Sequence, residues 1–152
     1  MYMNHSHNLV ALWEEGRTRF SRLLEQIKEE DLKKTLPPAP NSVGFLIRHI
    51  ADVELLFAKN VFNATDIEVH ARTLIAQKDS GEWTHLSELL SYQQLSYNTL
   101  KKILSQQTDD DWMSTVTTKE FGTKTKAEAL GRIVTHTTWH AGQMAIILKY
   151  SK

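Results

Sequence analysis

Thr125-Lys-Ala-Glu-Ala-Leu-Gly-Arg-Ile-Val-Thr-His136-Thr-Thr-Trp-His140-Ala-Gly-Gln-Met-Ala-Ile-Ile-Leu148 is the stretch that decides how this chain folds. It opens with a capping box, Thr125-Lys-Ala-Glu128, in which each end can satisfy a backbone donor of the other. Leu130, Ile133, Val134, Thr137, Met144, Ile147 and Leu148 then recur at the three-and-four spacing of an amphipathic helix. His136 and His140 stand four apart, so a helix stacks them on one face, at the shoulder of the apolar stripe beside Ile133 and Ile147. Trp139 and Ile146 fall on the far side, an exposed apolar pair that suits a homodimer surface or a connection lying over it.

Working back toward the N-terminus, Trp112 to Thr123 changes character. Thr115, Val116, Thr117, Thr118 and Phe121 favour extended chain and Gly122 favours a turn, which predicts a short irregular hairpin before the last helix. A third helix is expected from a cap at Thr84, with Leu86, Leu89, Leu90, Gln93, Tyr97, Leu100, Ile103 and Leu104 inward and Asp109-Asp110-Asp111 closing the region. The second runs from a cap at Asn41 or Ser42 to about Phe62, with Leu46, His49, Ile50, Val53, Leu56, Phe57 and Val61 as its stripe. The first spans roughly Asn8 to Glu29 through Leu9, Leu12, Trp13, Phe20, Leu23, Leu24 and Ile27, with Gly16 permitting a close helix approach. Pro37-Pro38-Ala39-Pro40 separates the first two helices. The segment 63–82 has little periodicity and reads as a long connection with at most one helical turn. The expected architecture is all-α: a single-domain four-helix bundle over 1–152, with long connections and a hairpin-like insertion before helix four.

Composition narrows the function classes. The 152 residues carry 18 basic and 18 acidic side chains, so no global field favours nucleic acid or an anionic membrane. No cysteine is present, which removes disulfides, zinc ribbons and thiol nucleophiles and fits a reducing compartment. The first residues lack the basic start and apolar run of a signal peptide, and no apolar stretch approaches the ~20 residues of a membrane span. The expectation is a cytoplasmic protein.

Histidines carry the chemistry. His49 lies within the stripe of helix two, and with His136 and His140 it would offer three imidazole nitrogens from two helices. Three protein ligands leave a position for water or substrate, as catalytic sites do. The same residues also have a plain reading as hydrogen-bonded core or structural histidines. His5, His7, His70 and His85 lack matching geometry and read as surface residues. Asp52, one turn after His49, could orient a ligand, bind the ion, act as a base or form an ordinary salt bridge. Gln143 could bond within the site or to the helix-two backbone, and Tyr97 and Gln93 could line its cavity. A zinc protease needs Glu where Thr137 stands. A di-iron bundle needs Glu-x-x-His, where Leu46, Ile133 and Thr137 stand instead. Phosphate loops and dinucleotide fingerprints are absent.

The segment from Asn41 through His49 to Glu54, together with His136-Thr-Thr-Trp-His140-Ala-Gly-Gln143, resembles the DinB-like family of damage-inducible bacterial proteins. The resemblance extends over essentially the whole chain. It implies a four-helix bundle with a metal site formed by His49, His136 and His140. The ion is usually taken to be zinc or nickel, with iron or manganese also compatible. The family includes metal-dependent transferases that use bacillithiol, mycothiol or glutathione, a maleylpyruvate isomerase, and many homodimers. The implied activity is that of a metal-dependent transferase that activates a low-molecular-weight thiol for attack on a small-molecule electrophile. A hydrolase using a bound hydroxide and a non-catalytic metal or small-molecule binding protein stand as alternatives. No residue is assigned a catalytic or thiol-cofactor-binding role by the sequence, and the neutral charge argues against DNA as partner.

Overall fold

Residues 5–151 are described by a computed structural model. Four long helices, α1 (His5–Gln26), α2 (Val43–Asn60), α4 (Leu86–Ser105) and α6 (Lys126–Tyr150), make the bundle. Between them lie a 3-10 turn (Glu29–Lys33), the short helices α3 (Arg72–Ala76) and α5 (Asp109–Met113), and strands β1 (Thr115–Thr118) and β2 (Gly122–Thr125). The strands pair antiparallel, Thr115 opposite Thr125 and Thr118 opposite Gly122, which is the hairpin expected before the last helix. Helix α2 packs against α4 and α6, and α1 against α6 and α4, so α1 and α2 face each other across the diagonal.

Local chemistry sets the boundaries. Ser42 caps α2 by accepting from Phe45 N at 3.2 Å. Thr125 and Glu128 form the expected box at the start of α6. Helix α1 stops at Gln26, short of Glu29, because Lys28 turns to an extended conformation where its N–H reaches the Asp31 carboxylate at 2.9 Å. Helix α4 begins at Leu86, after His85 rather than Thr84, whose own N–H is already bonded to Glu82 O. The Asp109-Asp110-Asp111 run opens α5 instead of only closing the helix before it. Thr108 and Asp111 cap that helix reciprocally, and negative side chains suit a helix N-terminus.

Two clusters fill the core. Val10, Trp13, Phe57, Leu100, Leu104, Trp112 and Leu130 pack together toward the hairpin end. Phe20, Leu46, Ile47, Leu89, Met144 and Ile147 form the other. Leu12 does not join the stripe expected of it and is 59% exposed. At about 100° per residue it points away from the face shared by Val10, Trp13 and Phe20. That face is completed instead by Arg17, which is buried. Gly16 does mark a close approach: a Cβ there would lie 2.6 Å from Val134 Cγ1 on α6. Gly44 is tighter still, because a Cβ would meet the Trp83 carbonyl oxygen at 1.9 Å.

A polar belt separates the two clusters. On one side Arg17 donates through Nε and Nη2 to both carboxylate oxygens of Glu54, at 2.7 and 2.8 Å, across the diagonal from α1 to α2. Gln93 and Ser96 on α4 complete the network, Ser96 Oγ donating to Glu54 at 2.6 Å. On the other side, between α2 and α6, lie the histidines.

Candidate metal centre

His49 on α2 meets His136 and His140 on the adjacent α6, and one ligating nitrogen from each lies within 4.8 Å of the others. The helical repeat aligns the α6 pair, with ring centroids 4.5 Å apart, and α2–α6 packing brings His49 to 5.0 Å from each. His49 Nε2 and His136 Nε2 are 3.1 Å apart. Two nitrogens bound to one tetrahedral ion at about 2.0–2.1 Å stand roughly 3.3 Å apart, so this separation suits a shared ion.

Hydrogen bonds at the opposite ring nitrogens decide which lone pairs face inward. Thr73 Oγ1 donates to Asp52 Oδ2 at 2.7 Å, so it accepts from His49 Nδ1–H at 3.1 Å. That commits the His49 proton to Nδ1 and leaves the Nε2 lone pair for the cluster. Gln143 Oε1 accepts from His140 Nδ1–H at 2.6 Å, with the same consequence. His136 Nδ1 is buried without a hydrogen-bond partner. His136 Nε2 faces the His49 Nε2 lone pair at 3.1 Å, and the contact needs either a proton on His136 Nε2 or a cation shared by both nitrogens. The donor set fits a divalent transition ion bound by neutral imidazole.

Burial keeps these rings neutral. It is the largest cause at His136, whose pKa falls from 6.5 to about 3, helped by the charges of His140, His49 and Arg132. At His49 burial comes first and His140 second, against the Asp52 charge, and the value is about 4. Burial also lowers His140, opposed by its bond to Gln143. Neutral imidazole is the ligating form, available here across the physiological range.

Asp52 is wholly buried and is not one of the clustered ligands. Its carboxylate accepts from Thr73 N at 3.0 Å, Thr73 Oγ1, Tyr92 OH at 2.8 Å and Arg48 Nε at 2.9 Å. Arg48 in turn lies 3.6 Å over the Tyr92 ring. Of the roles open to Asp52, the arrangement matches a salt bridge that also orients His49 through Thr73. The spacing of the sequence did not point to Thr73, which is carried by α3 in the weakly periodic connection. Gln93 and Tyr97 do not line the histidine cluster. Helix α4 lies diagonally opposite α6, and both residues border a groove of about 630 Å³ between α1 and α4. His5, His7, His70 and His85 are exposed, as expected.

A smaller cavity of about 320 Å³ opens beside His136. Val53, Phe57 and Trp139 give it apolar walls, and Thr135, Arg132 and Glu120 are polar neighbours. Trp139 is 68% and Ile146 50% exposed, as the far side of the helical wheel requires. Among the described residues, no helix is long and apolar enough to cross a membrane.

Comparisons with known proteins agree with this architecture. No curated protein matches the chain. Among solved structures it is similar to the mycothiol-dependent maleylpyruvate isomerase, with a TM-score of 0.73 and 20% identity over 95% of this chain. A histidine-to-alanine variant of that isomerase gives a TM-score of 0.72 at 18% identity. At such identities the likeness is one of fold, and this chain spans 63% of the isomerase's length. The sequence model of the DinB superfamily matches residues 12–144. The chain belongs to the DinB superfamily.

Proposed function

We propose that this protein is a metal-dependent transferase that activates a low-molecular-weight thiol at the three-histidine cluster. The observation that carries the metal half is the 3.1 Å approach of His49 Nε2 to His136 Nε2 while the His49 proton is held at Nδ1 by Thr73. His49, His136 and His140 would hold the ion, zinc or nickel by preference, with iron or manganese also compatible with the imidazole set. When bound, the ion supplies Lewis acidity that favours the thiolate of a coordinated thiol at neutral pH. The thiol half draws support, by analogy of fold, from the likeness to an isomerase named for its mycothiol dependence.

The chain's own residues prepare the site. Thr73 and Gln143 fix two imidazoles in the tautomer that presents Nε2. Val53, Phe57 and Trp139 offer apolar surface beside His136 to the body of a small substrate. Asp52 is occupied by four donors, so it is not a free base for activating water. This favours thiol chemistry over the hydrolase reading. The proposal takes 1–152 as a single domain acting in the cytoplasm on small molecules rather than nucleic acid, as a homodimer.

The test is conjugation of glutathione, bacillithiol or mycothiol to 1-chloro-2,4-dinitrobenzene, with and without zinc or nickel. Metal-dependent acceleration by the parent, lost in His49→Ala, supports the proposal. Ester hydrolysis without thiol transfer would replace it with the hydrolase reading, and bound metal with neither activity would leave a binding protein.

A further inference from the structure

Arg132 stands one helical turn before His136 and lines the same cavity. Its single ion contact among the described residues runs from Nη2 to Glu120 Oε1 at 3.0 Å. The side chains are 43% and 60% exposed, so this pair adds little to stability. A guanidinium has five N–H donors in a planar fork suited to a carboxylate, and one contact leaves most of that capacity to another acceptor. The guanidinium also lies 5.4 Å over the Phe121 ring, which supports it at the cavity rim.

The remaining walls define the ligand. Val53 and Phe57 are buried and apolar, whereas Trp139 presents an exposed indole. The volume, about 320 Å³, is at the low end for small-molecule sites, about 300–1,000 Å³. The cavity therefore combines a planar apolar wall, one replaceable cationic fork and an imidazole of the candidate centre. We propose that it is the subsite for a small carboxylate-bearing ligand with an apolar body, held by Arg132 in exchange for Glu120. The subsite takes its purpose from the metal-centre reading, since it would set the ligand beside His136, but its binding chemistry stands apart from it. The carboxylate could belong to the electrophile or to the thiol.

Trp139 makes the test readable. The other tryptophans, Trp13, Trp83 and Trp112, are buried, so the exposed indole N–H signal in a proton–nitrogen NMR spectrum reports on Trp139. The Arg132 and Glu120 variants assign a shift to this cavity rather than to the apolar groove that Trp139 also lines with Gly142 and Ile146. Benzoate, its neutral counterpart benzamide, and glutathione are titrated separately into zinc-reconstituted and metal-free protein, with metal content measured on the same samples. Benzoate or glutathione is expected to shift the Trp139 signal in metal-free protein, where direct coordination is absent, and benzamide far less. Arg132→Gln should weaken the responding anion roughly tenfold. Glu120→Gln should strengthen it severalfold by removing the internal competitor, a gain that a pair serving only to pin the hairpin does not predict. Response to benzoate assigns the carboxylate to the electrophile, and response to glutathione alone assigns it to the thiol; either supports the subsite. If neither anion binds, if benzamide binds as well as benzoate, or if Glu120→Gln brings no gain, the subsite is overturned. About one ion per chain with no anion response removes the subsite and leaves the metal centre, whereas the reverse pattern removes the metal centre alone.

Discussion

Thr73 Oγ1 lies 3.1 Å from His49 Nδ1 and spends its own proton on Asp52. A residue from the connection between α2 and α4 thereby fixes the tautomer of a histidine in the bundle core. Substitution of Thr73 by Val keeps the shape and removes the acceptor. Metal affinity should fall by about 10–100-fold, as is usual when a partner of a ligating histidine is lost. Chelator competition measures it, and unchanged affinity with an unchanged fold would show that Thr73 does not orient His49.

The Arg17–Glu54 pair is fully enclosed, with side chains 6% and 0% exposed. Arg17→Ala leaves Glu54 charged and buried without its main partner, at a cost of about 3–5 kcal/mol. The double change Arg17→Met with Glu54→Leu should recover much of that loss, because a well-packed apolar pair avoids desolvating two charges. Urea unfolding of the parent, single and double variants checks both statements.

Two glycines should respond oppositely to alanine. At Gly44 the new Cβ meets backbone, the Trp83 carbonyl oxygen, and the α2 start must shift. A loss of about 1–3 kcal/mol, typical of overpacking, is expected. At Gly142 nothing lies within 4 Å, so alanine should gain up to about 1 kcal/mol from helix propensity. Thermal unfolding of both variants would expose an error if the order were reversed.

Acid should destabilise the metal-free protein through the histidine cluster. His136 and His49 have folded-state values of about 3 and about 4, below the ordinary 6.5. Between those limits the unfolded chain binds protons that the folded chain refuses, so stability is complete above about pH 6.5 and falls as the pH drops toward 4 and 3. Replacing His136 by Gln should flatten this slope. The check is urea midpoints from pH 7.5 to 4.5 with metal removed.

Helix α6 was legible because all its signals are local: a capping box, a stripe at helical spacing and two histidines four apart. The hairpin was legible from its threonine-rich run ending at Gly122. The Thr73–Asp52 contact was not, since it spans 21 residues across a segment without periodicity, and no local pattern reports such closure. The start of α5 at Asp109 could have been read from Thr108 and Asp111, which sit at capping-box spacing. Arg17 and Glu54 were also readable in part: Arg17 falls four after Trp13 and three before Phe20, and Glu54 four after Ile50. A charge on an apolar face invites a search for its partner, although which helix supplies it depends on the diagonal of the bundle. The role of Gly44 depended on the path of the chain near Trp83, far away in sequence.

The most direct measurement is metal stoichiometry by elemental analysis on untagged protein, for the parent, His49→Ala and the double variant His136→Ala/His140→Ala. About one divalent ion per chain is expected in the parent and background content in both variants, since each removes ligands from a different helix. Absence of a stoichiometric ion after reconstitution with zinc, nickel, manganese and iron, or full retention in His49→Ala, would contradict a centre shared between α2 and α6.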